Sequence, residues 1–318
     1  MSELGVRPLP PAHAAAAIQL IVNADDFGWS ARVNAAVRAA HLKGILTTAS
    51  LMVAEEGWQE AVEMARAMPS LGVGLHVATT FDRALLPAPE IPHLVGTSGK
   101  FGSNPLTVGL KYAFSAAARR ELSLEMEAQF QRYAETGLPF DHVDGHQHFH
   151  MHPTVFHRLL ALCDRYGAHR LRVPREDLAA HLRGGGDGLT PVTIGALILQ
   201  LLCRANLRAL QRRETLAGRK IFVCSQVYGD FQSSNMNTAY TVRLLERVRG
   251  PVCEIYYHPG SEYARALPPA DQSDTIRDVE LKALLDPDVR AAVERNGLQL
   301  ATYAQAEAAL ATTALPPR

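Results

Sequence analysis

The chain has 318 residues, 47% of them apolar and 20% charged, and its 32 Lys plus Arg balance 32 Asp plus Glu. That composition supplies a large core and excludes global disorder. Zero formal charge argues against nucleic acid as the main partner, because phosphate contacts need a basic footprint.

Residues 1–17 read as a Pro/Ala-rich, flexible lead-in. They lack a basic leader followed by an apolar run, so no signal peptide is expected. Ile18–Asn23 reads as a buried strand. Ser30 is placed to cap a helix with apolar Val33, Val37 and Ala40, which Gly44 stops. Ile45–Val53 is β-branched and reads as a second strand. A helix is predicted over Trp58–Met68, and a third strand over Leu71–Ala78. The alternation continues. EMEAQFQRYAETG leads to FDHVDGH, and HPTVFHRLLALCDRYG leads to HRLRVP. KIFVCSQVYG, PVCEIYYHPG, a helix near Asp286–Asn296 and LQLATY follow.

About eight short strands alternating with helices predict an α/β fold of parallel βαβ units. A doubly wound sheet is one form of it. The repeat number favours a single irregular TIM-like (β/α) barrel of about seven to eight parallel strands over residues 18–318. Two segments break the rhythm. Residues 81–120 are proline-rich and read as a long loop over a site. Residues 181–219 read as a helical insert, with Thr190 as N-cap and Pro191 at the first helical position. In that helix Ile194, Leu197, Ile198, Leu201 and Leu202 share one face, and Arg204, Arg208 and Arg212 another. It is either a packed helix with a basic face or a surface for lipid or a partner.

Four cysteines stand apart without a CxxC pair, as buried thiols of a reducing compartment do. No apolar stretch reaches the roughly 18–20 residues that span a bilayer. A soluble, cytoplasmic protein is expected.

The chemistry concentrates where strands end, which is the active face of β/α folds. Asn23-Ala24-Asp25-Asp26-Phe27-Gly28 closes the first strand with adjacent carboxylates. One can bind a metal while the other stays free as a base, the pairing that hydrolysis by activated water requires. A helix cap is the plainer use for one of them. His76 ends the third strand and is either a ligand or a packed histidine. His142–His152 holds five histidines and Asp144 in eleven residues. Read as an extended segment, it points His146, His148 and His150 the same way. Imidazole suits Zn²⁺ and similar ions, and Asp144 can accept a ring N–H from a ligating histidine. A carboxylate of the pair, His76 and one clustered histidine make a three-ligand site with open positions. Arg170, Arg172 and Arg175 lie at another strand end, placed to orient a carboxylate or to pair at the surface. His258, in Tyr256-Tyr257-His258-Pro259-Gly260, is a candidate general acid or a packed histidine.

Together, NADDFG, GLH, HVDGHQHFH with its following helix, and YYHPG resemble the YdjC/ChbG family of carbohydrate deacetylases. The resemblance covers roughly residues 18–175 and 220–303. It implies a β/α barrel often short of eight regular units, and metal-dependent removal of an N-acetyl group from an amino sugar. It implies Asp25 as general base and Asp26, His76 and His146 as ligands of one divalent ion, Mg²⁺ or Zn²⁺. It implies His258 as general acid, with Arg172 or Arg175 tuning the base. The long insert and Val227–Val248 are similar to the branch associated with hopanoid biosynthesis. That likeness implies an N-acetylglucosaminyl lipid as substrate and peripheral contact with the inner membrane through the insert. Soluble chitooligosaccharides are the alternative substrate. A barrel amidohydrolase or phosphoesterase is the alternative enzyme, and a non-catalytic sugar-binding module the alternative class. The expected partners are an N-acetylated sugar or glycolipid and a second copy in a homodimer, with no nucleic acid.

Overall fold

The structure is a computed structural model, and it describes residues 17–186, 191–217, 220–233, 235–260 and 274–313. Residues 1–16 of the lead-in and the Thr190 cap lie outside the described residues.

Strand β1 (Gln19–Phe27) is buried along its whole length. A strand covered on both faces needs an apolar run of this kind. Helix α1 (Ala31–Lys43) starts where Ser30 Oγ accepts the Val33 N–H and buries Val33, Val37 and Ala40, as expected. Gly44 ends it, and a Cβ there would lie 2.3 Å from the Leu284 carbonyl oxygen. Strand β2 (Thr48–Leu51), helix α2 (Trp58–Ala67) and strand β3 (Gly72–Val77) follow.

Residues 81–120 are not one loop. Asn104 caps α3 (Pro105–Phe114), which has proline at its first position, and Ser115 caps α4 (Ala116–Glu135). Both starts carry ordinary capping chemistry. Strand β4 (Val143–Gly145), a 3-10 segment (His146–Met151) and α5 (Pro153–Tyr166) come next. Then come α6 (Leu178–Arg183), α7 (Pro191–Ala217), β5 (Gln226–Tyr228), α8 (Thr238–Leu245) and β6 (Val252–Tyr257). Helices α9 (Asp274–Leu285) and α10 (Pro287–Arg295), strand β7 (Gln299–Leu300) and α11 (Tyr303–Thr313) complete the described chain. Asp286 caps α10 and Asn296 follows it, which matches the predicted boundaries.

The strand order is β4-β3-β2-β1-β6-β5, all parallel, with β7 pairing beside β1. This is a half-barrel of six strands with one short addition, and it does not close into the full barrel that was expected. Two isolated parallel bridges, Val143↔Leu171 and Arg170↔Phe222, span the gap between β4 and β5. HRLRVP therefore contributes two isolated bridges instead of a strand, and KIFVCSQVYG contributes one bridge at Phe222 before its end, Gln226–Tyr228, forms β5. The first is cut short between Gly167, at φ 70°, and Pro174, which has no N–H for a ladder.

Helix α7 packs along a stripe other than the apolar row of the sequence. Its buried stripe is Ala196, Gln200, Cys203, Asn206 and Leu210. Ile194, Ile198 and Leu201 are 52%, 58% and 62% exposed, while Leu197 and Leu202 are half-buried. The apolar row read from the sequence is thus largely the outer face. No helix among the described residues is long and apolar enough to cross a membrane.

Candidate active site

The site is built at the C-terminal ends of β1, β3, β4 and β6. In a regular strand neighbouring side chains point to opposite faces. In β1 the register against β2 slips by one residue between Ala24 and Phe27, which is a β-bulge. Within it Asp26 takes φ 65°, the left-handed region that aspartate tolerates better than most residues. Asp25 and Asp26 are both buried, as is the rest of β1. Gly28 follows at φ 89°, and a Cβ there would come 2.9 Å from both Leu51 and the Met52 carbonyl oxygen.

Asp26 faces two histidines. His146 Nδ1 lies 3.1 Å and His76 Nε2 3.6 Å from Asp26 Oδ1. The donor atoms of Asp26, His76 and His146 fall within 4.8 Å of one another. Asp26 Oδ2 is buried without a hydrogen-bond partner. Two imidazoles, one carboxylate and an unmatched buried oxygen fit a divalent ion. His76 directs Nδ1 to Asp144 Oδ1 at 2.7 Å, the role anticipated for Asp144. Burial alone would lower the His76 pKa, but Asp144, Asp25 and Asp26 together raise it. Burial likewise works against protonation of His146, and Asp82 and Asp26 overcome it and lift that pKa to about 10.

Asp25, His76 and Asp144 form a second group of converging donors. Arg172 already supplies the cation there, with Nη1 2.8 Å from Asp25 Oδ2 and 2.7 Å from Asp144 Oδ2. Its Nη2 donates to Asp25 Oδ1 at 2.8 Å and its Nε to Glu254 Oε1 at 2.9 Å. Burial would raise the Asp25 pKa, but Arg172 and His76 outweigh it and hold the carboxyl well below its usual range. Asn23 Nδ2 donates to Asp25 Oδ1 at 2.8 Å and to Ser50 Oγ at 2.9 Å. Arg172 is fully buried and packs its guanidinium 4.9 Å above the Tyr256 ring. Arg175 instead lines a cavity beside α7, so of the two arginines only Arg172 reaches Asp25.

His258 follows β6. Its Nε2 is 4.0 Å from Asp25 Oδ2 and its Nδ1 3.8 Å from Glu280 Oε2, which also accepts its backbone N–H. Its side chain is 15% exposed against 3% for Asp25, so it is the more open group of the pair.

The histidine run is a 3-10 segment and not an extended one. Gln147 and His148 sit at φ 53°. His146, His148 and His150 therefore diverge. His148 Nε2 meets the Tyr256 hydroxyl at 3.0 Å and His150 Nε2 the Arg172 carbonyl oxygen at 3.0 Å. Burial pushes the His150 pKa down to about 4 and that of His148 well below the ordinary range, so both are neutral. His142 stacks on Tyr303.

Sequence reasoning missed Asp82, Glu254, Tyr303 and Glu280. Glu254 had a signal, being a lone charge in the apolar run VCEIYY; it is fully buried and pairs with Arg172 and the Tyr303 hydroxyl. Asp82, in a proline-rich stretch, had none.

A family model described as YdjC-like protein matches residues 19–295. A carbohydrate deacetylase of Brevibacillus brevis is 29% identical over 298 residues, covering 91% of this chain and 99% of that one. A chitooligosaccharide deacetylase of Proteus mirabilis is 36% identical over 143 residues, covering 43% of this chain and 52% of that one. A crystal structure from Enterococcus faecalis V583, whose description names cellobiose-phosphate cleavage, superposes with a TM-score of 0.68 at 24% identity. That superposition covers 91% of this chain and 98% of the other, and it speaks for the fold.

Proposed function

The chain belongs to the YdjC-like protein family, and on that footing we propose that it is a metal-dependent carbohydrate deacetylase that removes the acetyl group from an N-acetylated amino sugar. The observation that carries this reading is the convergence of Asp26, His76 and His146 beside an independent carboxylate, Asp25. A divalent ion held by the three ligands supplies Lewis acidity toward water and the acetyl carbonyl.

The rest belongs to the chain's own groups. Arg172 and Asn23 fix the Asp25 carboxylate and keep it ionised, ready to accept the proton of the attacking water. His258, 4.0 Å from Asp25 and partly open, gives a proton to the departing nitrogen. The new C–O bond forms, the amide C–N bond breaks, and acetate and a free amine leave. A two-metal phosphoesterase is disfavoured, because Arg172 fills the second carboxylate group.

The substrate reading goes further. Ile194, Ile198 and Leu201 form an exposed apolar row on α7, which supports an amphiphilic, lipid-linked N-acetylglucosaminyl substrate and peripheral membrane contact. Four buried free cysteines support a cytoplasmic setting. The test is acetate release from N-acetylglucosamine, chitobiose and an N-acetylglucosaminyl lipid, with elemental analysis of the purified protein for Zn and Mg. The expected result is release from at least one of the three and about one metal ion per chain. Release from none sinks the deacetylase reading.

A further inference from the structure

The two imidazoles of the candidate metal centre are held alike. His76 turns Nε2 toward Asp26 and sets Nδ1 against Asp144 at 2.7 Å. His146 turns Nδ1 toward Asp26 and sets Nε2 2.8 Å from Asp82 Oδ2. Histidines that ligate metals commonly place the second nitrogen on a carboxylate, which fixes the ring and raises its basicity. Asp82 faces the second nitrogen of His146 as an ion-pair partner, where Asp144 faces that of His76 as a hydrogen-bond acceptor.

We propose that Asp82 is the positioning residue for His146, its carboxylate holding the ring so that Nδ1 faces the ion. This rests on the metal reading of the site. The 2.8 Å contact is a close ion pair and does not count as a hydrogen bond. Among the described residues it is the only ion pair that Asp82 makes. The residue is 6% exposed, and its backbone is pinned on both sides. Its N–H donates to the Thr80 carbonyl at 2.8 Å, and its own carbonyl accepts the Phe101 N–H at 2.9 Å. Phe81 before it takes φ 67°, a costly conformation for a bulky residue. The Arg83 N–H after it goes to Glu55 Oε1 at 2.9 Å. A loop fixed this firmly delivers a buried carboxylate to one place, and that place is His146. Ion affinity is thereby tied to the chain between β3 and α3, a segment that contributes no ligand.

The test is Zn²⁺ affinity, measured by competition with a chromophoric chelator, for the wild type, Asp82→Ala, Asp82→Asn and Asp26→Asn. Asp82→Ala is expected to bind about 10–100-fold more weakly, the usual effect of losing such a partner. Asp82→Asn keeps an acceptor and recovers part of the loss, whereas Asp26→Asn binds no Zn²⁺. Melting curves of the metal-free proteins verify that each variant folds. Should Asp82→Ala not fold, the isosteric Asn variant carries the comparison. Affinity of the variant within about twofold of wild type overturns the proposal. So does a loss as complete as that of Asp26→Asn, which makes Asp82 a ligand. A wild type that binds neither Zn²⁺ nor Mg²⁺ overturns the metal reading together with this one. Wild-type binding with unchanged Asp82 variants overturns this one alone.

Discussion

Asp25 and Asp26 are neighbours in the chain, yet one meets a guanidinium and the other two imidazoles. The bulge in β1 falls at this pair and goes with these different partners, and the proposed division of labour rests on that difference. Asp25→Asn is expected to keep its metal, because none of the three converging donors changes. It loses the proton acceptor, and turnover falls by about two to four orders of magnitude. Asp26→Asn is expected to lose both metal and turnover. Metal content by elemental analysis beside acetate release separates the two, and equal metal loss in both variants rules the division out. The adjacent carboxylates, the strand-end histidines and the late His258 were legible in the sequence because motif and strand end coincide. Which carboxylate faces which partner was not, because a bulge leaves no periodic mark. Nor was the choice between Arg172 and Arg175, which depends on where the segment leaves the sheet just before Pro174.

Helices with a capping residue and a periodic face, α1 and α10, were readable nearly to the residue. Helix α3 carried its own start signal, Asn104-Pro105, but its outer positions Leu106, Leu110 and Phe114 are exposed. Amphipathic reasoning finds helices that bury their apolar side, so it passed over this one. The same bias hides the buried stripe of α7, which includes Gln200 and Asn206. Asn206 is held by a bond to the Met151 carbonyl at 2.9 Å. Exposure decides what substitution does there. Ile198→Ser with Leu201→Ser removes little buried area, so the melting temperature is expected to stay within a few degrees of wild type. If the outer row receives an amphiphile, kcat/KM for a lipid-linked sugar falls while that for free chitobiose holds. An equal effect on both substrates shows that the row has no part in substrate choice.

The whole molecule carries opposing proton couplings. Asp25 and Asp144 have carboxyls held well below the usual range; their stabilisation is present near neutrality and is lost on acidification. Glu176 acts in the other direction. Burial lifts its pKa to about 8, against backbone N–H groups of residues 229–231 that work to lower it. The folded chain keeps a proton that the unfolded chain releases, so stability falls as pH rises from the ordinary glutamate range to about 8. Glu176→Gln is expected to flatten that fall. Urea unfolding at about pH 5 and about pH 8 checks it, and an unchanged difference between the two excludes Glu176 as the cause. The sheet order has a consequence of another kind. Strand β1 lies between β2, which follows it closely, and β6, whose register runs Gln19↔Val252 to Ala24↔Tyr257. A ribosome adding about 5–20 residues per second takes on the order of ten seconds or more to make the chain between them. For that interval the strand bearing both aspartates has one open edge, the kind of surface that pairs wrongly and attracts chaperones. Glu254 and His258 are made only with or after β6, so until then Arg172 and Asp25 lack the contacts they make with these two residues in the folded chain.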